Sequence, residues 1–134
     1  MRETPEHRSR TMRAVKSRNT SPELAVRRLL HSMGYRYRLH RADLPGKPDI
    51  VFPGRRKAIF VHGCFWHGHN CPRGARIPKE NRAYWQEKID RNRSRDKKVS
   101  TQIRLANWKR LIIWECEIRS DDLSEKLRQF LDRD

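Results

Sequence analysis

The sequence predicts an α/β domain with a central sheet flanked by helices, and three observations carry that prediction. Hydrophobic periodicity switches between helical and extended stretches in the order α-β-β-β-α-β-α. The extended stretches are short and rich in Ile, Val and Phe, with glycine- or proline-bearing turns between them. At 134 residues and 16.2 kDa the chain allows one modest core, and no repeat, linker or low-complexity tract divides it.

Each element has a local reason. Residues 1–19 form a basic arm, with Arg8, Arg10, Arg13, Lys16 and Arg18 around Met12 and Val15, suited to ordering against phosphates. Thr20-Ser-Pro-Glu23 has capping-box spacing with proline in the first turn, so a helix begins there. Val26, Leu29, Leu30 and Met33 give that helix one apolar stripe, and Gly34 ends it. Tyr35, Tyr37 and Leu39 alternate with Arg36, Arg38 and His40, the pattern of a half-buried strand. Leu44-Pro-Gly-Lys-Pro48 breaks the chain before two further strands, Asp49–Phe52 and Lys57–His62, joined by the turn Pro53–Arg56. Residues 63–78 read as a loop. A long polar helix is expected from about Lys79 to Ala106, with buried ends and a middle, Asp90–Lys98, that has no apolar face. Trp108–Trp114 is a strand around Leu111-Ile-Ile113, and Leu123, Leu127, Phe130 and Leu131 give a closing amphipathic helix.

Charge narrows the function. Lys plus Arg number 32 against 16 Asp plus Glu, a net +16 with a pI near 10.9. Such an excess points to a polyanionic partner. A mean hydropathy of −1.05 would suit a disordered chain, but four Trp, three Tyr and four Phe argue for a folded one. The excess is also placed: residues 73–110 hold 13 basic against 4 acidic side chains, and residues 1–20 hold 6 against 2. No apolar run is long enough to span a membrane, and Met1–Glu6 lacks the apolar stretch of a signal peptide. Three cysteines, an odd number, argue against a disulfide framework and for free thiols or thiolate metal ligands in a reducing cytosol.

Val61-His-Gly-Cys-Phe-Trp-His-Gly-His-Asn-Cys71 concentrates three His and two Cys in eleven residues. Thiolate and imidazole donors at that density suggest zinc, which takes four such ligands. Cys116, past the last strand, is the remaining thiol. Cys64, His67, His69, Cys71, Cys116 and His62 outnumber four places, so a surplus imidazole is left as a candidate acid or base; counting does not choose which. Phe65 and Trp66 are either a small satellite core or wedges for a duplex, and Trp85 is a third such aromatic. Asp49, opening a strand beside the one that ends at His62, is placed as nucleases place a carboxylate for Mg²⁺.

Taken together, Arg8-Ser-Arg-Thr-Met12, Thr20-Ser-Pro-Glu23, Leu44-Pro-Gly-Lys-Pro-Asp49, Phe60-Val-His-Gly-Cys-Phe-Trp-His67 with His69 and Cys71, Tyr84–Ile89 and Ile113-Trp-Glu-Cys116 resemble the very-short-patch repair (Vsr) DNA mismatch endonucleases over almost the whole chain. The resemblance implies a restriction-endonuclease-like fold, a central mixed sheet flanked by helices with a structural zinc. It implies one Vsr-like domain over residues 1–134. Family enzymes nick the strand carrying the mispaired T of a T:G mismatch, on the 5′ side of that T, leaving 5′-phosphate and 3′-hydroxyl. Carried over, Asp49 and the Val61 carbonyl would hold catalytic Mg²⁺, and His67, held by Glu23, would act as general base or proton relay. His62 would lie beside the scissile phosphate. Cys64, His69, Cys71 and Cys116 would bind Zn²⁺, which leaves His62 and His67 as the free pair. Phe65, Trp66 and Trp85 would enter the DNA beside the mismatch, with Met12 helping.

Two departures qualify the carry-over. Val61 stands where the best-known members carry Thr, which spares a backbone ligand but removes a hydroxyl. The acid-x-lysine of the wider nuclease superfamily is missing from the strand ending at His62, so histidine must do the proton work. The resemblance further implies a monomer in the cytoplasm, associated with the nucleoid, in a pathway with mismatch-repair proteins and a cytosine methyltransferase. Two alternatives remain: a nicking nuclease with another mismatch or sequence preference, and a zinc-stabilised DNA-binding module that does not cut.

Overall fold

Helix α1 (Ser21–Ser32) starts where Thr20 Oγ1 accepts the Glu23 N–H at 3.4 Å. The structure, a computed structural model, describes residues 20–133 apart from Arg73 and Arg76, so the amino-terminal arm and Met12 lie outside the described residues. The capping box is only half made, because the Glu23 side chain turns inward instead of back to its cap. Gly34, at φ 91°, ends the helix as expected.

Four strands follow: β1 (Arg38–Leu39), β2 (Ile50–Phe52), β3 (Lys57–His62) and β4 (Lys109–Trp114). They lie in the order β1-β2-β3-β4 in one mixed sheet. β1–β2 and β2–β3 are antiparallel, and β3–β4 is parallel with Ile59 opposite Leu111 and His62 opposite Trp114. The parallel pair needs a crossover. That crossover contains α2 (Arg82–Leu105), and α3 (Leu123–Asp132) closes the described chain. The first strand is shorter than the Tyr35–His40 alternation predicts: only Arg38 and Leu39 pair with β2, while Tyr35 and Tyr37 pack edge-on against Phe52.

Helices cover both sheet faces, which is why β2 and β3 read as continuous apolar runs. On one face Val26 and Leu30 of α1 and Leu123, Leu127 and Leu131 of α3 pack with Ile50, Phe52, Ile59 and Ile113. On the other, Ile103 of α2 packs with Val51, Ala58 and Phe60, and Val99 leans on that cluster. Lys57, buried in β3, donates to the carbonyls of Phe130 at 2.6 Å and Leu131 at 3.0 Å, and also to that of Arg133. A cation there satisfies the last carbonyls of α3 and suits the negative end of its dipole.

The Leu44–Lys47 turn is pressed between α2 and β3. Gly46 has φ +74°, and a Cβ added there would lie 2.5 Å from Val99 Cγ1 and 3.1 Å from Phe60 Cε1. Gly46→Ala is therefore expected to destabilise by about 2 kcal/mol, from backbone strain plus overpacking, read as a lower urea midpoint at unchanged slope. The turn leads straight to Asp49, so its seating also sets where that carboxylate stands.

Candidate active site

Asp49 lies immediately before β2, half-buried, and its Oδ2 accepts the Val61 N–H of β3 at 2.7 Å. Burial pushes its carboxyl up to about 7; the Val61 bond opposes this and the charge of Glu23 adds to it. Glu23, only 1% exposed, brings a second carboxylate from α1. Its Oε2 accepts from His40 Nε2 at 2.9 Å and Arg27 Nη1 at 3.2 Å. His40 reaches it from a left-handed backbone, φ 49°, and its own N–H donates to the Asp49 carbonyl at 3.1 Å. Ligand atoms of Glu23, His40 and Asp49 lie within 4.8 Å of one another.

His62, the last residue of β3, stacks on His67 with centroids 3.7 Å apart and planes 7° from parallel. His62 is buried, and its Nδ1 has no hydrogen-bond partner among the described residues. Burial pushes its imidazole down to about 3, with the neighbouring His67 adding to the effect, so it stays neutral. His67 stands on the loop after β3, and its Nδ1–H donates to Asp96 Oδ2 of α2 at 2.7 Å. The Glu23–His67 pairing implied by the resemblance is therefore not formed. Glu23 is committed to His40 and Arg27 on the Asp49 side, and the carboxylate that meets His67 comes from the crossover helix.

The loop itself folds back on its own backbone: His67 N–H donates to Gly63, and His69 N–H to Cys64. This turn gathers Cys64, His69 and Cys71 with Cys116, whose ligand atoms all lie within 4.8 Å of one another. Gly74 N–H donates to Cys71 Sγ at 3.4 Å, and a Cβ on Gly74 would collide with the His69 carbonyl, so a side chain is excluded there. Three sulfurs and one imidazole at that spacing fit a tetrahedral zinc. Without a cation, burial pushes the Cys64 thiol up to about 12, the environment a dication would reverse. Trp114 joins the two parts of the site: it stacks on His69 at 4.1 Å and meets His62 edge-on at 5.2 Å.

Helix α2 holds all of this in place. Trp85, Ile89, Asn92, Asp96, Val99 and Ile103 recur at alternating steps of four and three, a single inward stripe. Asn92 Nδ2 donates to the Trp66 carbonyl at 2.8 Å, and Gly68, at φ +63°, lies against Ile89 and Arg93. Phe65, Trp66 and Trp85 form a triangle of edge-on contacts at 5.2 to 5.8 Å, with Lys88 Nζ 5.4 Å over Trp66. A cleft of about 1630 Å³ is lined by Glu23, His40, Asp49, Val61, His62, Phe65, Trp66, His67 and Asp96, with Lys88, Arg91, Arg95 and Arg110 among its cations. It is large enough for a strand of polyanion and carries charge to match.

The model of the DNA mismatch endonuclease Vsr family matches residues 2–73. The chain is 52% identical over 130 residues to the type II nicking enzyme V.XorIIP of Xanthomonas oryzae pv. oryzae, across 96% of this chain and 95% of that protein. It is 37% identical over 130 residues to the DNA mismatch endonuclease Vsr of Escherichia coli, across 92% and 83% of the two chains. Against the type II nicking enzyme V.NmeAIP of Neisseria meningitidis the identity is 42% over 117 residues, 87% of this chain and 83% of that one. The chain belongs to the Vsr DNA mismatch endonuclease family.

This Vsr-family chain is a DNA endonuclease. The cleft brings together Asp49, Val61, His62, His67 and Glu23, with Phe65 and Trp66 on its wall. Trp85 touches both aromatics, and the four zinc candidates form a separate cluster behind Trp114. Sequence reasoning about this Vsr endonuclease missed Asp96, Asn92, His40 and Trp114 as parts of the site. Asp96 and Asn92 had a signal, since they fall on the stripe that Ile89, Val99 and Ile103 already define. No helix of the described residues is long and apolar enough to cross a membrane.

Proposed function

We propose that the chain is a Mg²⁺-dependent endonuclease that nicks DNA 5′ to the mispaired T of a T:G pair, leaving 5′-phosphate and 3′-hydroxyl. In this reading one restriction-endonuclease-like domain spans the chain and a structural Zn²⁺ sits on Cys64, His69, Cys71 and Cys116. The observation that carries it is the convergence of Asp49 and the His67–Asp96 pair on one basic cleft.

The Asp49 carboxylate and the Val61 carbonyl would hold Mg²⁺. Its half-buried carboxylate, with Glu23 beside it, is the arrangement a cation relieves. The bound cation would supply charge stabilisation at the scissile phosphate. Asp96 takes the Nδ1–H of His67, which leaves Nε2 as the acceptor that draws a proton from the attacking water. The imidazolium so formed is balanced by Asp96, and its stacked neighbour His62 stays neutral and adds no repulsion. His40 and Arg27 hold the Glu23 carboxylate beside Asp49. Phe65, Trp66 and Trp85 separate the base steps flanking the mismatch, which costs least where a wobble pair stacks poorly.

A nicking assay on a T:G duplex with Mg²⁺, beside an A:T duplex of the same sequence, tests this reading; tight binding without product on any mismatch would overturn it. A panel of flanking sequences separates it from a relative with another preference, an alternative kept because several relatives are named type II nicking enzymes. Asp96→Asn is expected to slow single-turnover nicking by roughly 10²-fold or more with DNA affinity unchanged. A variant that nicks at the wild-type rate would remove Asp96 from this role.

A further inference from the structure

We propose that His62, His67 and Asp96 form a further metal site, of two-histidine, one-carboxylate type. It takes a Zn²⁺-class cation and, when filled, silences the nuclease. Ligand atoms from the three residues lie within 4.8 Å of one another. His67 Nδ1 and Asp96 Oδ2 are 2.7 Å apart. Two ligands each about 2.1 Å from one ion stand roughly 3.0–3.4 Å apart, so exchanging the shared proton for a cation asks this pair to widen by less than about 1 Å. The stack at 3.7 Å keeps a nitrogen of His62 close to that edge, and a turn of one ring out of the parallel arrangement aims both lone pairs at one ion.

His62 supplies the independent sign of a ligand. It is 7% exposed, and its Nδ1 has no hydrogen-bond partner among the described residues, an unmet buried polar atom of the kind that a bound water or ion satisfies. Imidazole donors favour Zn²⁺ or Co²⁺ over Mg²⁺, which prefers oxygen and keeps its waters. The Glu23–His40–Asp49 group differs, because the one oxygen that meets His40 is also paired with the Arg27 cation.

Metal at His67 Nδ1 moves the ring proton to Nε2 with no net gain or loss. The nitrogen that would draw a proton from water is then blocked. The silencing half of the proposal rests on His67 being the base; the binding half does not.

The test starts from full-length protein carrying one equivalent of Zn²⁺ in the Cys/His cluster, without DNA or Mg²⁺. Calorimetry with added Zn²⁺ is expected to show a second equivalent. His62→Asn and Asp96→Asn should each weaken that second equivalent about tenfold or more, while His40→Gln leaves it unchanged. Retention of the first equivalent and an unchanged circular dichroism spectrum confirm that the variants are folded. The same added Zn²⁺ should slow nicking at fixed Mg²⁺. Absence of a second equivalent, its persistence in both His62→Asn and Asp96→Asn, or its loss in His40→Gln would each overturn the site. A protein that binds the second equivalent as described but nicks no T:G duplex would instead sink the proposed function and leave the site standing.

Discussion

Asp49→Asn is expected to abolish nicking of a T:G duplex and, without added Mg²⁺, to make the zinc-loaded protein more stable than the wild type. The first effect follows from the proposed role: an amide is a far poorer ligand for a hard cation than a carboxylate. A fall in single-turnover rate of roughly 10²–10³-fold or more is the scale of a lost electrostatic contact at a reacting phosphate. Affinity for mismatched DNA should change little, because the basic side chains and aromatics are untouched.

The second effect follows from burial. Burial holds the Asp49 carboxyl up at about 7 in the folded chain, against about 3.9 for an aspartate in water. Between those values the folded protein binds more protons than the unfolded one, so stability falls as pH rises from about 4 to about 7. Asparagine removes that penalty and can still accept the Val61 N–H. The gain should be on the order of 2 kcal/mol at pH 8 and near zero at pH 4. Thermal melts of both proteins at the two pH values, with Mg²⁺ absent, measure it. A wild type that remains the more stable at pH 8 would mean the carboxylate is not held at a cost. A nicking rate near wild type would remove Asp49 from the metal site.

Cys116→Ala should lower zinc content and stability together. Cys116 is exposed, and an exposed thiol outside any metal site could be replaced by alanine within about 0.5 kcal/mol. Its Sγ lies 3.5 Å from His69 Nδ1, within the cluster that ties the loop after β3 to the segment after β4. Structural zinc contributes about 10–16 kcal/mol in small domains, so loss of one of four ligands should cost on the order of 5 kcal/mol. Elemental analysis and a thermal melt separate the cases: full zinc with an unchanged melt would take Cys116 out of the ligand set. Trp114 makes the consequence functional. It stacks on His69 and borders both His62 and His67, so a loosened cluster should depress nicking more than DNA binding.

Legibility differed between the two halves of the site. The Cys/His loop could be read because its donors are local: Cys64, His69 and Cys71 fall within eight residues, and a metal needs ligands of particular types at short range. Asp49 and the strand beside it could also be read, since a β2–β3 hairpin keeps neighbours in sequence as neighbours in space. Helix α2 was harder. Its middle looked featureless because Asn92 and Asp96 are polar, although they occupy the inward stripe; a hydrophobicity pattern does not register a polar residue buried for a purpose.

Composition, periodicity and motif spacing alone determined the α/β class, the seven elements, the pull toward a polyanion and a surplus of Cys and His donors around one loop; which four of them form the cluster came from the family resemblance. These follow from local propensity and from ligand chemistry, which act over a few residues. Tertiary structure alone decided the partners. It assigned Asp96 and not Glu23 to His67, gave Glu23 to His40, and placed Trp114 between the cluster and the histidine pair. Those pairings join α1 to the end of β1, and the loop after β3 to α2 and β4. Contacts across such separations are set by how helices seat on a twisted sheet, and no local signal encodes them.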